Sequence, residues 1–251
     1  MDVVFLHSRP DQHYEECKRA FLNGKHVLCE SPVAMSVQEY LELKKYADQN
    51  HCILMEAIRT AYITAYTRML LLVKSGRIGE VVSVDATCTS LSSEESEDKQ
   101  QLWGALEAWG PTTLLPVFQL LGTDYVERRF FSRKDAAGRD FFTKIDFAYQ
   151  NATATIKTGN GVKSEGELII SGTKGYVYVP APWWKTDYFE IRYENPADNK
   201  RYFYSADGEG IRNELLTLSD AIRDGKPDFY ISRSVTQEIV RVVEAFGNIE
   251  Q

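Results

Sequence analysis

The stretch Gly24 to Pro32, Gly-Lys-His-Val-Leu-Cys-Glu-Ser-Pro, leaves the chain little choice of local structure. Gly24 reads as a helix stop and His26 to Cys29 as a short buried strand. Pro32 then forces a turn, because the residue before a proline is pushed out of the helical region. Glu30 and Ser31 therefore land at the carboxyl end of a strand. In an open α/β sheet that edge is where ligands bind. Taken alone, the run reads equally well as an ordinary helix-strand-turn junction, so the flanking sequence has to decide.

On the amino-terminal side, Asp2 to His7 is an apolar, β-branched run that reads as a buried strand. Ser8-Arg9-Pro10-Asp11 supplies a turn and an N-cap, and a helix from about Gln12 carries Tyr14, Cys17, Phe21 and Leu22 to Gly24. On the other side, Ser36 with Glu39 forms a capping box that opens a helix to about Asn50, and His51 to Glu56 is the next strand. An amphipathic helix follows over Tyr62 to Ser75, then a long strand over Val81 to Leu91 and a solvated polar loop over Ser92 to Gln101. Thr112 or Thr113 reads as the cap of a helix to Leu121, with Leu114, Leu115, Val117, Phe118 and Leu121 as its buried face.

From Thr123 to Tyr204 the pattern turns to alternation in seven short segments separated by Gly, Asn and Asp turns, with a hairpin at Gly172-Thr-Lys-Gly175. This predicts a large, mostly antiparallel sheet. Two helices close the chain, Glu209 to Asp224 with Ile211, Leu215, Leu218 and Ile222 inside, and a last one capped by Ser232 or Ser234 with Ile239, Val242, Val243 and Phe246 inside.

The chain has 251 residues, 43% hydrophobic and 26% charged, which suits a soluble globular protein of two lobes. Its net charge of -7 argues against a nucleic-acid partner, which calls for a basic surface. Cys17, Cys29, Cys52 and Cys88 are scattered without metal-ligand spacing and read as free thiols. Apolar runs such as Met69 to Val73 are too short to span a membrane, and Met1 runs straight into Asp-Val-Val-Phe-Leu without a basic leader, so the expected location is the cytoplasm.

The Gly24 to Pro32 run resembles the Gly-Lys-His-Val-x-x-Glu-Lys-Pro signature of the glucose-fructose oxidoreductase, inositol dehydrogenase and rhizopine-catabolism (Gfo/Idh/MocA) family, with Ser31 in place of the lysine. Further segments match in order. Ser8 to His13 resembles Thr-Pro-x-x-x-His; Glu56-Ala57 with Arg59 resembles Glu-Ala-x-x-Arg; and Gly104 to Thr112 resembles Gly-x-Leu-x-Asp-x-Gly-x-His, with Ala108 at the aspartate and Thr112 at the histidine. Pro180 to Lys185 resembles the family's loop after its Gly-Thr-x-Gly hairpin.

The resemblance implies an α/β plus α+β fold: a Rossmann-like lobe over residues 1–57, truncated at its amino end, and a lobe over residues 58–251 built on a large mixed, mostly antiparallel sheet with helices on one face. It also implies an NAD- or NADP-dependent oxidoreductase of sugars or cyclitols, in which the lysine, aspartate and histidine handle the substrate hydroxyl. Here Ser31, Ala108 and Thr112 occupy those positions, and no G-x-G-x-x-G follows a strand. The expectation is therefore no catalytic residues of the family type, no tightly held nicotinamide cofactor, and no metal.

A cofactor-side remnant is expected at Ser8, His13, Glu30, Ser31 and Pro32, although taken by itself His13 reads rather as a locally satisfied first-turn helix residue than as a ligand. A substrate pocket is expected at Arg59, Trp109, Thr112, Trp183, Trp184 and Lys185. Arg59 can instead pair with a surface carboxylate, and the tryptophans can stack on a sugar ring or plug a packing gap. The resemblance further implies a homo-oligomer through the helix-free sheet face, with Phe147, Tyr149, Ile156, Ile170 and Tyr178 directed outward. Three functions stay open: an oxidoreductase, a pseudoenzyme that binds a sugar-like ligand, or an assembly subunit.

Overall fold

The computed structural model describes residues 1–91, 103–205, 208–225 and 229–249. The polar run Ser92 to Gln101 lies outside them. The opening apolar run forms β1 (Val3–Leu6), and the Gly24 to Pro32 stretch forms β2 (His26–Glu30). Between them α1 (Pro10–Leu22) starts on its proline, where the missing N–H is one the helix would have left unpaired anyway. A second helix, α2 (Val37–Gln49), leads to β3 (Leu54–Ala57). The three strands pair in chain order and all run parallel.

The capping box forms with a shifted partner. Ser36 Oγ accepts from Glu39 N at 3.2 Å, while the Glu39 carboxylate accepts from Met35 N at 3.0 Å. Helices and strands then bury Cys17, Phe21, Tyr40 and Leu43 with Val27, Cys29 and Val240. Each large side chain in that core stabilises the fold by roughly 1.5–3 kcal/mol.

Val240 belongs to the last helix, and its place in this core shows how the chain is divided. Residues 1–62 and 210–251 form one compact unit, and Ile63–Glu209 forms the other. The two closing helices, α5 (Ile211–Asp224) and α6 (Arg233–Ile249), therefore join the first unit rather than the second, where a division at residue 57 had left them. The joints are specific. Val37 N donates to Glu244 Oε2 at 3.2 Å, and the Tyr40 hydroxyl donates to Arg233 O at 3.3 Å.

α6 buries Ile239, Val242, Val243 and Phe246 as its periodicity predicts, and Ser232 Oγ caps it by accepting from Val235 N. α5 does not follow its expected face. Glu214, Leu218 and Ala221 are inside, while Ile211 and Leu215 are exposed. The helix is rotated by about one position, and a carboxyl group enters the core in place of a leucine.

The second unit begins with α3 (Thr64–Lys74), β4 (Val81–Ser90) and α4 (Ala105–Leu121). The sheet continues with β5 (Glu127–Lys134), β6 (Asp140–Ala148), β7 (Thr153–Asn160), β8 (Leu168–Gly172), β9 (Tyr176–Val179), β10 (Tyr188–Arg192) and β11 (Lys200–Phe203). The eight strands are ordered β11-β10-β9-β8-β4-β7-β6-β5, and only the β4–β7 pair is parallel.

α4 starts about seven residues before the threonine cap expected from sequence, and Thr113 sits inside it, bonded back to the Trp109 and Gly110 carbonyls. The true cap comes from far along the chain: Asp140 Oδ2 accepts from Leu106 N at 2.9 Å and from Thr143 Oγ1 at 2.7 Å. Gly104 makes this possible, since a Cβ there would lie 1.7 Å from Asp140 Oδ1.

α4 packs on β4, β6 and β7. The side chains that meet it include Val84, Ala86, Ile145, Phe147, Ala154 and Ile156, all buried. Register puts Ile170 on the same parity through its pairing with Val84. Phe147, Ile156 and Ile170 therefore face inward, against the outward placement expected from sequence, and the Tyr149 hydroxyl donates to Gly122 O. Tyr178 is on the opposite parity, in a row that crosses all eight strands as Arg201, Glu190, Tyr178, Ile169, Asp85, Thr155, Asp146 and Arg129. That row is mostly charged. Among the described residues no helix is long and apolar enough to cross a membrane.

Candidate functional site

The carboxyl edge of the parallel sheet gathers Ser8, His13, Glu30, Ser31, Pro32 and Arg59. The His13 ring is fully buried, with Nδ1 2.8 Å from Pro32 O and Nε2 3.1 Å from Ser8 O. It ties the loop after β1 to the loop after β2, and both ring nitrogens are occupied in doing so. The Ser8 hydroxyl donates to the Glu16 carboxylate. The His13 ring and the Ser8 proton are thus engaged within the protein.

Glu30 and Ser31 are differently placed. Arg59 Nη2 lies 3.3 Å from Glu30 Oε1, and His7 Nδ1 lies 3.4 Å from the same oxygen. Ser31 Oγ donates to Glu56 Oε1 at 2.6 Å. Glu56, next to last in β3, is buried, and burial pushes its carboxyl above the usual range, with the Ser31 and Thr236 hydroxyls drawing it part of the way back.

A second buried acid, Glu214 of α5, is raised to about 7, first by burial and then by the charge on Glu30, with Arg59 opposing. Its Oε1 makes no hydrogen bond among the described residues. Neither acid was singled out as a site residue from sequence, although both leave a signal there. Glu56 interrupts the apolar Ile-Leu-Met run, and Glu214 stands four residues before Leu218 on what becomes the buried stripe.

The remaining candidates belong to the second unit. Trp183 is a packing plug, fully buried with Nε1 donating to Thr87 O at 2.9 Å. Trp184 is half-buried and faces Trp109 of α4 with ring centroids 5.1 Å apart. Gly166 leaves room for it, because a Cβ there would come within 3.0 Å of the indole. Ala108 and Thr112 lie one turn apart on α4 beside Trp109, and Lys185 is paired with Glu209 at 2.9 Å. Each unit thus brings its own subset together, Arg59 in the first and the tryptophans, Thr112 and Lys185 in the second.

A dinucleotide needs backbone N–H groups at a glycine turn and a helix start for its pyrophosphate. The loops that leave β1, β2 and β3 contain no glycine. α1 opens with Pro10, which has no N–H, and with the Asp11 carboxylate in its first turn. At α2 the donors of Met35, Val37 and Glu39 are taken by Glu39, Glu244 and Ser36. The described residues do not fit a pyrophosphate at any of these three positions. Among them, no cluster of three or more His, Cys, Asp or Glu could hold a metal ion.

Comparison with known proteins agrees with this architecture. Residues 1–58 match the family model described as "Oxidoreductase family, NAD-binding Rossmann fold" of Gfo/Idh/MocA proteins. The trans-1,2-dihydrobenzene-1,2-diol dehydrogenase of Oryctolagus cuniculus is 24% identical over 243 residues, covering 90% of this chain and 71% of that protein. Among solved structures, the aldose-aldose oxidoreductase of Caulobacter crescentus, complexed with glycerol, superposes with a TM-score of 0.85 at 19% identity, over 99% of this chain and 76% of that one. The 3-ketoreductase KijD10 of Actinomadura kijaniata, in complex with NADP and TDP-benzene, gives 0.81 at 18% identity over 98% and 77%. With its parallel β1-α1-β2-α2-β3 unit and its ordered motifs, the stretch over residues 1–58 is similar to the NAD-binding Rossmann fold of the Gfo/Idh/MocA oxidoreductases.

Proposed function

We propose that this chain binds a hydroxyl-rich, sugar-like small molecule and carries out no hydride transfer by itself. The observation that carries the reading is the Ser31–Glu56 pair. Where the family motif has a lysine, a hydroxyl donates to a buried carboxyl at 2.6 Å, and a serine hydroxyl is neither a base nor a cation at neutral pH. Ala108 and Thr112 likewise provide no base on α4. What the first unit does offer is an edge rich in groups that bond hydroxyls, Glu30 with Arg59 and the near-neutral acid Glu214. The Trp109–Trp184 pair of the second unit offers a π surface of the kind on which sugar rings stack. The relatives named above take a diol and aldoses, which is the ligand class favoured here.

A second reading, an oxidoreductase of the same substrates completed by a dinucleotide-binding segment or chain beyond these residues, is favoured by the similarity to the diol dehydrogenase running through 90% of the chain. The two readings separate in one experiment. A thermal-shift panel of sugars, cyclitols and trans-diols is run with and without NAD or NADP, with nicotinamide absorbance followed in parallel. The first reading expects a polyol to stabilise the chain with no cofactor turnover, and no turnover in Ser31→Lys either, since a restored amine has no cofactor to work with. Reduction of either cofactor by wild type or by Ser31→Lys would overturn it in favour of the second.

A further inference from the structure

The first unit has a cavity of about 380 Å³ at the amino edge of its parallel sheet, the end opposite Glu30 and Ser31. We propose that it is a binding site for a small phosphate monoester. Its polar lining is mostly cationic or donating: Lys44 from α2, Arg233 at the start of α6, His26 at the start of β2 and His51, with Asp48 the one carboxylate among them. Lys44 forms no ion pair among the described residues, and Arg233 Nη2 is 3.8 Å from Asp48 Oδ1. Two full positive charges therefore face one negative charge.

His26 is fixed as a donor. Ile53 N donates to its Nδ1 at 3.0 Å, so in the neutral ring the proton sits on Nε2, which makes no hydrogen bond to the described residues. The obvious opposing field is the carbonyl end of α2, which closes at this cavity and would repel an anion. Three of its carbonyls already accept hydrogen bonds from the turn that follows, which weakens that field. Tyr46 O accepts from Asn50 N and Nδ2, Ala47 O from Cys52 N, and Asp48 O from His51 N.

The volume lies within the roughly 300–1,000 Å³ of small-molecule sites, too large for phosphate alone and sufficient for a phosphate on a sugar-sized body. Arg233 and Lys44 would take the phosphate oxygens in charge-assisted hydrogen bonds, with His26 Nε2–H adding a neutral one. The apolar wall of Ala47, Ile53, Leu54 and Ile222 would receive the organic part.

The test titrates glucose 6-phosphate, glucose and inorganic phosphate into the whole chain at constant ionic strength, by calorimetry and by nitrogen-15 spectra of the histidine rings. Glucose 6-phosphate is expected to bind and shift the His26 Nε2 resonance, inorganic phosphate to compete with it, and glucose to do neither. Lys44→Met and Arg233→Gln, both at accessible side chains, should each weaken binding at least tenfold, while Lys18→Met on α1 should not. Equal binding of glucose and glucose 6-phosphate, failure of inorganic phosphate to compete, no binding at millimolar concentrations, or unchanged affinity in both cavity variants would each overturn the proposal. The competition arm needs only wild-type protein, so it decides the matter even if a variant folds poorly.

Discussion

Replacing Glu214 by glutamine should stabilise the protein, and only above a defined pH. The carboxyl is 3% exposed and is raised from 4.5 to about 7. Below pH 4.5 it is neutral in both folded and unfolded chains and burial costs little. As pH rises from 4.5 to 7 the unfolded chain loses its proton while the folded one keeps it, so the unfolded state is lowered in free energy and stability falls. The loss is complete above pH 7. A difference of about 2.5 pH units corresponds to about 3 kcal/mol at about 1.36 kcal/mol per unit. Glutamine has the same shape and never ionises, so Glu214→Gln should match wild type near pH 4.5 and exceed it by about 3 kcal/mol at pH 8. Urea unfolding followed by tryptophan fluorescence at a series of pH values measures this directly. Parallel curves for the two proteins across pH 4.5 to 8 would refute the reasoning, because they would mean that Glu214 titrates as an ordinary solvated acid.

Two further outcomes follow from the second unit. Asp140→Ala removes the side-chain cap of α4, leaving the Leu106 N–H without that acceptor and the Thr143 hydroxyl with Ser132 Oγ alone, so it should cost about 1–2 kcal/mol in chemical unfolding. An effect below about 0.5 kcal/mol would show that α4 is capped by something else. On the outward sheet parity, Phe131, Tyr176 and Phe203 are exposed beside the charged row, and we propose that this face pairs two copies of the chain. Tyr178→Glu, which sets a charge beside Glu190, should then shift light scattering from dimer to monomer, whereas a wild-type chain already monomeric at micromolar concentration would dispose of the idea.

The parallel unit was legible because each of its signals is local. Gly24, Pro32 and the Ser36–Glu39 pair act within four residues of themselves, and the strand and helices they delimit appear where they predict. α4 was misread for the opposite reason. Its cap, Asp140, is 36 residues beyond Gly104, and no local pattern announces a carboxylate that folds back through a sheet. Strand alternation gave the existence of the sheet but not which parity faces α4, since Phe147 and Tyr178 satisfy the same period and only packing chooses between them. At the site, Ser31 was visible because a motif surrounds it. Glu56 stands in a motif too, but neither it nor Glu214 shows as a buried acid there, because a glutamate inside an apolar pattern looks like an interruption until its burial and partners are known.

The division of the chain has a consequence for the order in which it can be made. Residues 63–209 are continuous, so the eight-stranded unit has every part it needs once Glu209 has left the ribosome. The parallel unit cannot close then. Val240 completes its core, and the Val37 N–H waits for Glu244, 207 residues later in synthesis. During that interval Val33, Ala34, Tyr40 and Leu43 lack part of their final cover. Residues 1–62 are thus made before the large sheet and finished after it, and a chain stopped before α6 would keep its large sheet while exposing the apolar flank of the small one to chaperones and proteases.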